Sequence, residues 1–294
     1  MRGAGLLLLG LVSCAAPPPP PRRVDPSLQV LDRLSWQIEE LPPGVRWQTI
    51  TTPSFRVQYL SRQQDMELDR HTAQRVAEVA EQTRQAQQRR WYGEARPPWD
   101  PRCAIQLYPS TAMMVQMSGG DPKAASSAAR PSQLRHGQML QRRVILAADD
   151  QRLLDSTLPH EVSHIIVAEL LGAPVPLWAN EGLAMTNESQ LSRMQFEEVL
   201  DRFRARGQLF QLPALMRMER YPDGEFNPLF YAQSLSLVRF LLSLNLDPRT
   251  ARSRLLRLLR AGIDLRRVEQ ALRQEFGLTG LQDLSRRWLR WLES

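Results

Sequence analysis

Two histidines four positions apart, with a glutamate directly after the first, constrain this chain more than any other feature. The segment His160-Glu161-Val162-Ser163-His164 holds half of the four histidines in 294 residues. On a helix, residues four apart share one face, so both imidazoles can bind a single metal ion. Glu161 projects from a neighbouring angle, within reach of a water on that ion. The flanks are apolar and helical in pattern, with Leu153, Leu154, Leu158, Val162, Ile165, Ile166 and Val167 around the pair. Pro159 is tolerated in a first turn, where its missing N–H has no helical partner. The helix is therefore expected to start just before it, capped by Ser156 or Thr157.

A catalytic zinc typically takes three protein ligands and leaves one position for water. Downstream, after the turn residues Gly172-Ala173-Pro174, runs Pro176-Leu177-Trp178-Ala179-Asn180-Glu181-Gly182-Leu183-Ala184. Glu181 lies far enough past His164 for the chain to turn and run a second helix beside the first. Other candidates are weaker. Glu169 falls five residues past His164 and so off its face. His136 lies in an irregular stretch and His71 on a polar helix, and both read as surface histidines.

HExxH followed by a W-x-N-E-G-L-A segment resembles the gluzincin metallopeptidases, and within them the peptidase MA-like branch. The resemblance runs from about Thr51 to the end and is tightest over residues 157–184. It implies Zn²⁺ as cofactor, with Glu181 as the third ligand beside His160 and His164. It implies an α+β, zincin-like catalytic domain with a small sheet, the HExxH helix and a helical C-terminal lobe. The implied activity is hydrolysis of a peptide or protein substrate by a zinc-activated water, with Glu161 as general base. Tyr231 resembles the tyrosine that this branch places on a later helix facing the metal, where a phenol would hydrogen-bond the oxyanion. The strand 143–148 resembles the substrate-lining edge strand of gluzincins, whose free edge can pair with an extended peptide. One position departs from the pattern. Relatives often carry a carboxylate four residues after the third ligand, where it orients a ligating histidine. Here that position is Met185, which leaves Asn187, Glu188 or another acid to substitute.

The start of the chain reads as an address. Arg2 precedes the short apolar run 6–12, too short to span a bilayer and of signal-peptide length. Leu11-Val12-Ser13-Cys14 resembles the bacterial lipobox, in which the cysteine is lipidated and becomes the mature N-terminus. Five prolines, Pro17 to Pro21, favour an extended spacer. The expected organisation is a signal peptide over 1–13, lipidated Cys14 and a Pro-rich linker over 14–27, an N-terminal α/β lobe with the HExxH helix over 28–175, and a helical lobe carrying the third ligand over 176–294. The expected location is the bacterial cell envelope, anchored by lipid, on the outer membrane if the cell is Gram-negative.

Other elements follow from periodicity. Asp25–Leu41 reads as an amphipathic helix, Thr51–Leu60 and Cys103–Tyr108 as strands, and Met66–Trp91 as a long polar helix. Residues 112–142 show no period and read as a long irregular loop. The chain is mostly helical from Gln151, with a stop at Gly262, a cap at Asp264 and a stop at Gly277. Trp288 and Trp291, at helical spacing near the end, read as core packing.

Composition excludes several classes. Two cysteines, Cys14 and Cys103, exclude a disulfide framework and a cysteine-based zinc finger. No apolar run is long enough for a polytopic membrane protein. The net charge of +7 comes from 38 Lys+Arg, of which Lys123 is the single lysine. The arginines are interleaved with Asp and Glu along the chain, which argues against a nucleic-acid partner. Two readings stand beside the peptidase: a catalytically weak or inactive zincin-fold lipoprotein serving as an envelope binding or assembly module, and membrane-surface association through the arginine-rich helices of residues 249–290.

Overall fold

A computed structural model describes residues 44–62, 66–118, 127–130, 134–135, 138–139, 141–172 and 174–293. These lie within the unit Glu40–Ser294. The signal peptide, Cys14, the Pro-rich linker, the helix expected over Asp25–Leu41 and His136 lie outside the described residues.

The chain enters the sheet through β1 (Val45–Thr51) and β2 (Phe55–Arg62), an antiparallel pair. Pro53 interrupts the strand expected over Thr51–Leu60, so Thr51 closes β1 and a turn at 52–54 separates it from β2. Glu81 stabilises that turn, accepting from Ser54 N at 2.6 Å and Thr52 Oγ1 at 2.9 Å. Glu81 belongs to α1 (Met66–Tyr92), the predicted long helix. Then come β3 (Cys103–Tyr108), α2 (Thr111–Ser118), β4 (Ser127–Arg130), the short pair β5 (Leu134–Arg135) and β6 (Gln138–Met139), and β7 (Arg143–Ala147).

The main sheet has the order β1-β2-β3-β7-β4. Its central strands β2, β3 and β7 are parallel, and β4 runs antiparallel to β7. Register aligns Val57, Ile105 and Val144 in one fully buried row. That face is covered by Ala73, Val76, Ala77 and Ala80 of α1 and by apolar residues of the HExxH helix. Cys103, also fully buried, belongs to the same cluster. Val45, Leu60, Tyr108 and Ile145 point to the opposite face, where Met114 of α2 packs. Alternation thus sends successive residues of each strand to two different cores.

Two expectations about this region need correction. Residues 112–142 are not one irregular loop, since they contain α2, β4 and the β5–β6 pair. The Met-rich sequence of α2 has no polar face to display a helical period, and its start is held from outside, with Asp149 accepting from Thr111 N at 2.9 Å. The Ser-Ala-Ala-Arg sequence of β4 carries little strand propensity, so its pairing with β7 supplies the order. Consequently β7 is an interior strand, flanked by β3 and β4, and β4 is the terminal strand.

From residue 153 the structure is helical. A π-helical turn, Leu153–Thr157, runs into α3 (Leu158–Leu171), with Pro159 in its first turn. No side chain caps α3. Thr157, proposed for that role, instead donates its hydroxyl to Asp150 at 2.5 Å. Ser156 donates its hydroxyl to Ser189 at 2.9 Å. Gly172, left-handed at φ 60°, terminates α3. The remaining helices are α4 (Leu177–Met185), α5 (Gln190–Ala205), α6 (Leu212–Arg217), α7 (Phe226–Ser243), α8 (Pro248–Leu259), α9 (Leu265–Phe276) and α10 (Leu281–Trp291). Asp264 caps α9 and Gly277 ends it, as expected. Trp288 is buried and donates Nε1–H to Ser236 at 3.0 Å, while Trp291 packs against Phe240. Among the described residues no helix is long and apolar enough to cross a membrane.

Candidate metal centre

The site is built from α3 and α4, and close packing places it. Val162, Ile165 and Ile166 of α3 join the core under the sheet, while Val167 and Leu171 join the helical core with Trp178, Ala179 and Leu183 of α4. The remaining face of α3 carries His160 and His164 toward α4. Gly182 allows α4 to lie directly against α7, since a Cβ there would sit 2.4 Å from the Ser234 carbonyl oxygen. This approach holds Glu181, 2% exposed, opposite the histidines.

The three side chains converge. Glu181 Oε2 lies 3.3 Å from His160 Nε2 and 3.8 Å from His164 Nε2. One ligand atom from each residue lies within 4.8 Å of the others. A tetrahedral zinc at about 2.0–2.1 Å from its ligands would separate them by about 3.4 Å. Two imidazole nitrogens and one carboxylate oxygen at these spacings fit such an ion. Glu161 is buried on the same helix. Glu169, set aside on periodicity, is engaged elsewhere: it pairs with Arg142 at 2.5 Å and accepts from Trp99 Nε1 at 3.1 Å. His71 is exposed on α1.

The surroundings fix these groups. His160 Nδ1 lies 2.6 Å from Glu188 Oε1. Glu188 is held in turn by the Ser192 hydroxyl on Oε2 and by Arg193 on its backbone carbonyl. Met185, at the position where the resemblance leads one to expect a carboxylate, is fully buried. Asn187 braces the helices instead, donating to Ser163 Oγ at 3.1 Å, while Gln87 of α1 donates to the same oxygen at 2.7 Å. Ser163 in turn donates to the Pro159 carbonyl at 2.6 Å. The hydroxyl within the HExxH segment thus ties three parts of the chain together. His164 Nδ1 is buried without a hydrogen-bond partner among the described residues.

Charge follows from this geometry. Burial opposes protonation of His160, but hydrogen bonds to Glu181 and Glu188 overcome it and push its pKa up to about 10. Burial likewise opposes ionisation of Glu181, yet the two histidines and a hydrogen bond from Tyr221 hold it down at about 2.

Two tyrosines stand beside Glu181. Tyr231, the residue singled out on resemblance, lies on α7 and stacks on Tyr221 at 5.8 Å between centroids. The Tyr221 hydroxyl itself donates to Glu181 Oε1 at 2.6 Å. Burial, and then the Glu181 charge, raise both phenols above their ordinary pKa, so both remain proton donors. Tyr221 was not among the residues expected from sequence. The available signal was an aromatic residue within the turn Tyr221-Pro222-Asp223-Gly224, where loop residues more often serve function than packing.

The family model described as the Peptidase MA superfamily matches residues 145–294, just over half of the chain. The match begins within β7 and takes in the whole candidate centre and the helical lobe. No curated protein matches the chain.

Proposed function

The chain belongs to the Peptidase MA superfamily, and we propose that it is a zinc-dependent peptidase of gluzincin type, with His160, His164 and Glu181 as ligands. The observation that carries this reading is the convergence of His160 Nε2, His164 Nε2 and Glu181 Oε2 from two helices, with Glu161 beside them. When bound, zinc would supply Lewis acidity, polarising both a water and the substrate carbonyl.

The protein residues carry the remaining tasks. Glu161 accepts a proton from the attacking water and returns it to the departing amine, so its charge is restored at the end of the cycle. Tyr231 donates a hydrogen bond to the carbonyl oxygen as charge develops there. Glu188 holds His160 through Nδ1, which supports the catalytic reading over an inactive binding module, because it supplies the orienting carboxylate that Met185 does not. With β7 interior, the strand available to an extended substrate is β4, which packs against α3.

The proposed division places a lobe over 28–175 and a helical lobe over 176–294, with α3 packing into both cores. We further propose lipidation at Cys14 and a position in the cell envelope, supported by the lipobox-like segment and the proline spacer.

The test compares the full chain with Glu161→Gln for zinc content and peptide hydrolysis. Zinc in both, with cleavage in the parent only, is the expected result. Equal cleavage by both would sink the mechanism.

A further inference from the structure

We propose that Tyr221 keeps Glu181 bound to the metal through one oxygen only, and so keeps the centre four-coordinate with water as the fourth ligand. The inference rests on the metal-centre reading above. Glu181 has its two oxygens on different duties. Oε2 faces the imidazoles, 3.3 Å from His160 Nε2 and 3.8 Å from His164 Nε2. Oε1 receives the Tyr221 hydroxyl at 2.6 Å.

This division matters because a carboxylate with both oxygens free can clamp an ion bidentately. A second oxygen on a zinc already holding two histidines and a water would raise the coordination from four to five and crowd the water. The hydrogen bond commits Oε1 to the phenol and points Oε2 at the cluster.

Tyr221 is built for this contact rather than for packing. Its residue is 46% exposed, with the hydroxyl turned inward to Glu181. Its ring is nevertheless fixed on two sides, stacked on Tyr231 at 24° between planes and edge-on to buried Phe230 at 89°. The turn that carries it closes at Gly224, left-handed at φ 60°. A phenylalanine would keep both ring contacts and lose the hydroxyl, with its hydrogen bonds to Glu181 and Tyr231. Tyr221 is therefore a positioning residue acting through Glu181, whereas Tyr231 is the phenol assigned to substrate.

The test uses the full chain loaded with Co²⁺, whose visible absorption is intense when four-coordinate and weak when five-coordinate. The parent should show the intense band. Tyr221→Phe should lose it several-fold, with zinc affinity, read by competition with a chromogenic chelator, falling about 10-fold. Tyr221→Leu should show the same spectral change. A parent-like cobalt spectrum and affinity in Tyr221→Phe would overturn the inference, whatever its turnover. A parent chain that takes up neither metal would instead overturn the metal-centre reading itself.

Discussion

Glu188 Oε1 lies 2.6 Å from His160 Nδ1, although Glu188 follows Glu181 by seven positions rather than four. Seven residues is close to two helical turns and returns to nearly the same side of the axis, as four does. The chain keeps winding past the end of α4, through turns that bond Asn187 N to Ala184 O and Glu188 N to Met185 O. The carboxylate thus reaches the histidine from one turn farther on. Glu188→Ala should weaken zinc binding about 10–100-fold. Chelator competition on the full chain checks this, and unchanged affinity would remove Glu188 from the centre.

Met185 is the complementary case. It is fully buried, so introducing an acid by Met185→Asp would place a carboxylate in the core. The substitution should cost about 3 kcal/mol or more of stability and should not raise zinc affinity. Denaturant unfolding of the metal-free protein measures the first effect. A stable variant that binds zinc more tightly would show that this position still serves the metal.

Gly182→Ala discriminates packing from helix propensity. On propensity alone, alanine within a helix should stabilise by about 0.5–1 kcal/mol. The new Cβ, however, would meet the Ser234 carbonyl oxygen at 2.4 Å and Val238 Cγ2 at 2.7 Å. Helices α4 and α7 must move apart, so destabilisation of about 1–3 kcal/mol is expected. Because Glu181 is the adjacent residue, zinc affinity should fall with it. A rise in melting temperature would contradict the close approach.

The His160 pKa, raised from 6.5 to about 10 by its bonds to Glu181 and Glu188, contributes a pH-dependent share of the metal-free protein's stability. A raised folded-state pKa means that the linked stability is fully present below pH 6.5 and is lost as pH climbs through about 10. The melting temperature of the metal-free protein should therefore decline over that window. Metal uptake at pH 7–9 should release a proton, since imidazole must be neutral to ligate. Glu181, already ionised, should contribute none. Calorimetric titration with zinc in buffers of different ionisation enthalpy counts the protons, and zero release would contradict the charged state of His160.

Cys14→Ser addresses the anchor. The parent should partition with membranes and the variant should be released. Unchanged partition would reject lipidation at this residue.

The two candidate histidine ligands were legible because their spacing is local. His160 and His164 share a face through helix geometry alone, and the NEGLA segment marked Glu181. The long helix α1, the strand at Cys103, the Asp264 cap and the Gly277 stop were legible for the same reason, since apolar period and capping chemistry act within a few residues. What the sequence concealed was non-local. Strand β4 has too little intrinsic preference to announce itself and is ordered by hydrogen bonds from β7, and that same pairing turns β7 from an edge into an interior strand. The orienting carboxylate required knowing that the chain keeps winding after Met185. Tyr221 required knowing that a turn forty residues past Glu181 folds back onto it. Sequence by itself determined which residues can ligate and on which helix face they stand. Tertiary structure decided which neighbours hold those ligands, because a hydrogen bond between distant segments depends on how helices pack and leaves no period in the chain.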